Sequence, residues 1–438
     1  MPPAHRPCRR LLVVALIGMG VLAVTPVGAQ ETLTERIAAA AVELPADAGA
    51  WPALDAAIGD ARIVFLGEPW HGDGGAIAER TRLVRYLHER HDFDVLVFEG
   101  DFYALHRGWE TARQTGRAGE MAAANLYSFW SQTEAARPLW AYIDAQLAGD
   151  DPLIVAGIDT KVVGEETQRR LPDDLRFQLA AIDGVSENEA ARAADTLRRL
   201  LSPQPGDAET TEPDFADLVH RVDQLAEALE DDAADPFWAQ YAQSLRRMLS
   251  GESRDAGMAE NLIWLATHLY SGHRIIVWSH NNHALIDKWA LYDSPAPEAE
   301  AIFGSEAADS VGRRTYLGEA VRHYFGDRAV YSIATLSHEG SYSPDIQPAL
   351  IGQLADFDVT APLAPTAEGS LEAAMAGTGY DIAFVDLRPF RGDPGLITSR
   401  VLDYSQLGAL PLYLQRGFDG VLFLRRTRGL NEDAPPQP

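Results

Sequence analysis

Glu68 and His71 close an apolar run in the stretch FLGEPWHGDG, residues 65–74. Two other runs end in the same way: DVLVFEG carries Glu99 at its tip, and RIIVWSHNNH carries His280 and His283. A carboxylate beside an imidazole suits general acid–base chemistry, because imidazole titrates near neutrality and the acid decides which ring nitrogen keeps the proton. Two carboxylates and three imidazoles are also an oxygen and nitrogen set for Zn, Mn or Fe, and a histidine pair can ligate haem. Each piece has a structural reading too. Glu-x-x-His before glycines is a common capping and turn pattern, and His280 and His283 could simply close a strand. Glu99 is harder to place that way: it follows four apolar residues, and burial there demands a cationic or hydrogen-bonding partner. Arg80, in the helical pattern after His71, is a candidate partner, with an ordinary surface charge as the other reading, since ERTRLVR supplies several.

These residues need elements that bring them together. The runs at 62–68, 94–100, 153–159, 274–280, 329–336, 381–388 and 420–426 are rich in Val, Ile and Phe and lack strict alternation, as strands buried on both faces do. Between the first two, Ile77, Leu83, Val84 and Leu87 recur at helical spacing, which predicts a β-α-β unit. The expected fold is α/β, with a mostly parallel central sheet, flanking helices and an inserted helical subdomain. In a parallel sheet the carboxyl ends share one edge, where ligands bind, so three distant segments would deliver Glu68, His71, Glu99, His280 and His283 to one rim.

The insertion is expected at 165–270, where ENEAARAADTLRRLL, FADLVHRVDQLAEALED and PFWAQYAQSLRRMLS are amphipathic and no strand pattern intervenes. It would split the α/β core into 30–164 and 271–430 and form the second wall of a cleft. The small, acidic, proline-containing segment 292–312 reads as a mobile loop or lid, and the tail 431–438 as disordered.

Arg6, Arg9 and Arg10 precede the apolar run 11–24, and small residues at Val27 and Ala29 follow, the pattern of a signal peptide cut after Ala29. That predicts a periplasmic or secreted protein without a membrane anchor after cleavage, since fourteen apolar residues are short for a span. The formal net charge is −27, and the leader's arginines offset part of it, so the exported part is more acidic still. Such a surface repels phosphate backbones and anionic lipid, which argues against nucleic-acid and membrane partners. The single cysteine, Cys8, leaves with the leader, so neither a thiol nucleophile nor a disulfide is expected.

GEPWHG followed by Glu79 and Arg80, then VFEGD at 98–101, SRDAGMAENLIWL at 253–265 and VWSHNNH at 277–283, resembles the motif series of the erythromycin esterase family. TYLGEAVRHYFGDRAVYSI and GSLEAAMAGTGYDIAFVDLR are similar to its C-terminal half, so the resemblance spans nearly the whole exported chain. It implies a carboxylic ester hydrolase acting on a small-molecule ester, macrolide-like or otherwise large, with a role in antibiotic resistance. His71 matches the family's general base, which activates water without a covalent intermediate. Glu68, Arg80, Glu99, His280 and His283 match the polar groups around it. Arg80 or a histidine of the last motif would stabilise the oxyanion, while the glutamates orient the histidine or hold Arg80. Trp70, Tyr103 and Arg254 are expected at the substrate; Trp109, Tyr127 and Trp130 cluster near the same strand ends and could extend an aromatic wall, with core packing as the other reading for most of these rings. Ser279 stands where the family has alanine, and with no G-x-S-x-G turn in the chain it is not read as a nucleophile.

No cofactor is expected on this reading. Two alternatives stay open. One is a metal-dependent hydrolase or peptidase using the same Glu/His cluster, which loosely resembles Tiki-type metalloproteases. The other is an exported haem or small-ligand binding protein. The oligomeric state is left undetermined.

Overall fold

The computed structural model describes residues 31–433 apart from 46–48, 204–209, 231–234, 293–314, 351–352, 354 and 403–407. The predicted leader at 1–29 and nearly all of the predicted lid at 292–312 therefore lie outside the described residues.

The strands are β1 (Val42–Glu43), β2 (Ile63–Glu68), β3 (Phe93–Asp101), β4 (Ile154–Asp159), β5 (Arg274–His280), β6 (Val330–Tyr342), β7 (Ala361–Leu363), β8 (Ile382–Asp386), β9 (Ile397–Ser399), β10 (Leu410–Leu412) and β11 (Gly420–Thr427). Nine of them form one sheet in the order β1-β8-β11-β6-β2-β5-β3-β4, with β7 paired to β6. The six strands from β11 to β4 are parallel to their neighbours, while β1, β7 and β8 pair antiparallel. The fold is thus α/β with a mostly parallel sheet, and each of the seven apolar runs contains a strand. β2 and β3 are joined by the helix Gly74–His91 as expected, but β5 lies between them in the sheet. Sequence order could not reveal this strand, which arrives from more than 170 residues downstream.

The absence of alternation has a direct cause. Ile63 and Phe65 of β2 face one apolar cluster while Val64 and Leu66 face the other; Val95 and Val97 against Leu96 and Phe98 repeat the arrangement in β3. Both faces are covered, so both sets must be apolar. From the end of β4 to the start of β5 the described chain is helical and contains no strand. Its Leu171, Leu175, Leu197, Leu218, Val222 and Trp238 join the same cluster as Ile63 and Phe65, so these helices cover one face of the sheet. Among the described residues no helix is long and apolar enough to cross a membrane.

Candidate active site

The parallel register sets the site. Glu68 is paired across the ladder with His280, and β3 pairs with β5 as far as Phe98 and Trp278, one residue short of Glu99. The β3–β4 register shifts between Phe98 and Asp101, an irregularity of the kind that re-aims a side chain at a strand end. The carboxyl ends of β2, β5, β3 and β4 therefore present Glu68, His280, Glu99 and Asp159 side by side.

The glycines after His71 are explained by close packing. A Cβ on Gly72 would collide with the Ser343 carbonyl, and one on Gly75 with Thr427. The turn is thus pressed against the ends of β6 and β11. Asp73 caps the helix that follows by accepting from the Ala76 amide at 2.7 Å.

One side of the site is a chain from Arg80 through Glu68 to His71. Arg80 and Glu68 are fully buried and ion-paired, and the guanidinium lies 3.8 Å above the Trp278 ring. The other Glu68 oxygen accepts from Trp130 Nε1 at 2.9 Å and lies 2.6 Å from His71 Nδ1. An ionised carboxylate only accepts, so Nδ1 carries the proton and Nε2 keeps its lone pair. The ring is clamped by Phe129, stacked at 4.8 Å, and by Trp130 edge-on at 5.1 Å. Burial pushes His71 down to about 3; Glu99 opposes this, and His280, His283 and Arg254 reinforce it. Glu68, its charge shared with Arg80, orients the ring. His71 is therefore a neutral base at physiological pH.

The other side is a web of fixed charges. Glu99 Oε1 accepts from Arg254 Nη2 at 2.8 Å and lies 3.2 Å from His283 Nε2, while Oε2 accepts the His280 amide at 3.0 Å. Burial opposes the Glu99 charge, but His283 and Arg254 outweigh it and hold the acid well below the usual range. His283 Nδ1 lies 2.7 Å from Asp255 Oδ1, so both ring nitrogens face carboxylates. Burial alone would lower His283; Glu99 and Asp255 reverse that and raise it to about 10, making it an imidazolium. Arg254 also donates through Nε to Asp159 Oδ1 at 2.9 Å and through Nη2 to Oδ2. His280 donates from Nε2 to the Pro69 carbonyl at 3.1 Å and accepts the Asn282 amide on Nδ1 at 3.1 Å. It props the loop that carries His71, 5.3 Å from that ring.

His71, Glu99, Arg254, His280, His283 and Trp70 all line one cavity of about 240 Å³. Three expectations need correction. Arg80 is sealed behind Glu68 and does not line the cavity, so it pairs with Glu68 and not with Glu99, whose arginine is Arg254, and it does not meet an oxyanion. Tyr103 is fully buried among Phe237, Trp238 and Tyr241, with its hydroxyl on Asp174, so it is no substrate wall. The second wall comes from Ile346, Gln347 and Leu350, while among the described residues the inserted helices contribute only Arg254. Asp159 and Asp255 escaped the sequence reading. The signal for Asp159 lies in the sequence, an acid ending LIVAGID as Glu99 ends its own run; Asp255 lies within SRDAGMAENLIWL, but only the fold brings it to His283.

The donors suit neither alternative. Glu68 is committed to Arg80, and His283 has a carboxylate on each nitrogen; among the described residues no three His, Cys, Asp or Glu side chains are grouped to hold a metal ion. The ring of fixed charge that lines the cavity is also a poor seat for the apolar face of a haem.

A family model described as erythromycin esterase matches residues 88–427. YbfO of Bacillus subtilis (strain 168) is 24% identical over 403 residues, covering 83% of each chain. Among solved structures, a Bacillus cereus protein superposes with a TM-score of 0.66 at 19% identity, covering 92% of this chain and all of that one. A succinoglycan biosynthesis protein gives 0.65 at 17%, covering 91% and 97%. A mutant of the erythromycin esterase EreC in its open conformation gives 0.55 at 18%, covering 86% and 94%.

Proposed function

We propose, from the premise that this chain belongs to the erythromycin esterase family, that it opens a large ester or lactone by attack of a water molecule activated by His71. Membership makes it a hydrolase of the esterase type with a small-molecule ester as substrate; the route and the identity of the ester are the inference. The observation that carries the route is the 2.6 Å contact of His71 Nδ1 with Glu68, which leaves Nε2 a lone pair at the cavity.

Nε2 takes a proton from water as the hydroxide oxygen bonds to the ester carbonyl carbon. The resulting oxyanion develops beside the fixed positive charges of Arg254 and His283, which need no reorganisation to stabilise it. The tetrahedral adduct collapses by breaking its bond to the alkoxy oxygen, which recovers the proton from Nε2, giving an acid and an alcohol. No side chain is acylated. A reaction in ¹⁸O-water, with erythromycin and simpler esters as substrates, tests this by mass spectrometry. The product should be heavier by one water and carry the label in its new carboxylate, without a transient acyl-protein. A covalent adduct trapped on the enzyme would overturn the route. If erythromycin is left intact while other esters are cleaved, macrolides and the antibiotic-resistance role are ruled out and the ester class stands.

The leader pattern supports export to the periplasm or beyond. Secreted protein should then begin at Gln30 by intact mass, and a retained leader would sink that placement.

A further inference from the structure

The carboxylates around the cavity already have cationic partners: Glu68 has Arg80, Glu99 has Arg254 and His283, and Asp159 has Arg254. One more cation lines the same cavity, Lys161, two residues beyond the end of β4. Its backbone amide donates to Asp159 Oδ1 at 3.1 Å, which pins the stem to the site. Its side chain is exposed, and the ammonium makes no hydrogen bond or ion pair among the described residues.

The choice of residue is unusual in this chain. Lys and Arg together number 37, yet only Lys161 and Lys288 are lysines. Lys288 is paired with Glu319 at 3.4 Å. Around this cavity the carboxylates Glu68, Glu99 and Asp159 are held by arginine, whose planar fork holds a set geometry; Lys161 instead offers a mobile point charge on a flexible stem. On a surface as acidic as this one, an unpaired cation at the catalytic cavity would serve to draw a negative group in from solution.

Resting on the esterase reading of this cavity, we propose that Lys161 is its anion anchor and that the preferred ester carries a carboxylate or comparable anionic group near the scissile bond. The ammonium meets that anion at the rim, while the ester carbonyl lies deeper, between His71 and the Arg254–His283 pair.

The matched substrates are para-nitrophenyl hexanoate and the para-nitrophenyl monoester of adipic acid, equal in chain length and different in terminal charge. The wild-type enzyme should favour the monoester in kcat/KM, chiefly through KM. Lys161→Met should cut that preference roughly fivefold, as expected for an exposed charge contact, and Lys161→Arg should keep most of it. Raising the salt should erode the preference in the wild type and leave Lys161→Met unmoved. No preference in the wild type, or the same preference in Lys161→Met, overturns the proposal. If the wild type cleaves neither ester, the ¹⁸O-water assay decides the esterase reading, and binding decides the anchor separately. Calorimetric titration of His71→Asn and of His71→Asn/Lys161→Met with the monoester should then show tighter binding with the lysine present, and equal affinity would overturn it.

Discussion

His71 and His283 lie in the same cavity, each within hydrogen-bond reach of a strand-tip glutamate, yet they hold opposite charge states. Glu68 already has a buried arginine and an indole N–H, and the ring it touches is packed between Phe129 and Trp130, so desolvation governs and His71 stays neutral. Glu99 and Asp255 bracket His283, one on each nitrogen, so two attractions overcome the same burial. A carboxylate beside a histidine therefore does not by itself fix the protonation state. What decides is how much of the acid's charge is already neutralised and how many acids the ring meets.

The most severe way to break this contrast is to remove the base. His71→Asn should lower kcat/KM by about 10²–10⁴-fold while the thermal transition stays close to that of the wild type, because the ring carries no buried charge. A variant retaining more than a tenth of wild-type turnover would show that the proton goes elsewhere. On the charged side, Glu99→Gln leaves Arg254 with Asp159 alone and His283 with Asp255 alone, and should cost up to about 3 kcal/mol in denaturant unfolding, with activity falling as well. A neutral effect on stability would mean the web is not held by charge.

Arg80→Met sharpens the comparison by making the first glutamate behave like the second. Freed of its arginine, Glu68 would attract a proton onto His71, so the acid limb of the pH–rate profile should rise by about one unit or more from its wild-type position near 3. An unmoved limb would dissociate Arg80 from the base. The last test reads stability against pH. His283 is raised above its ordinary 6.5 to about 10, so its contribution is complete below 6.5 and is lost as pH climbs from there through about 10. His71, lowered from 6.5 to about 3, acts in the other window, its neutral burial costing stability as pH falls below 6.5. Denaturant melts across pH 6–10 should show the alkaline decline in the wild type and a flatter curve in His283→Asn.

Much of this was legible in the residues themselves. The apolar runs without alternation announced strands covered on both faces, and Glu68, Glu99 and His280 at their ends announced a shared rim, because parallel strands all finish on one edge. What the linear order concealed was lateral. Nothing local to β5 says that it enters between β2 and β3, and so nothing said that Arg254 would fasten Glu99 to Asp159. Tyr103 looked like a wall because it follows a strand tip, but the helix it begins turns its ring into the apolar layer.

The sequence by itself determined the chemical inventory: an acidic chain, a parallel sheet, and acids and imidazoles at its strand ends, all of which follow from local pattern and the period of the backbone. Only the tertiary structure decided which imidazole is a base and which is a cation. That choice depends on burial and on the partners of partners within a few ångströms, quantities that segments hundreds of residues apart set only once they have packed together.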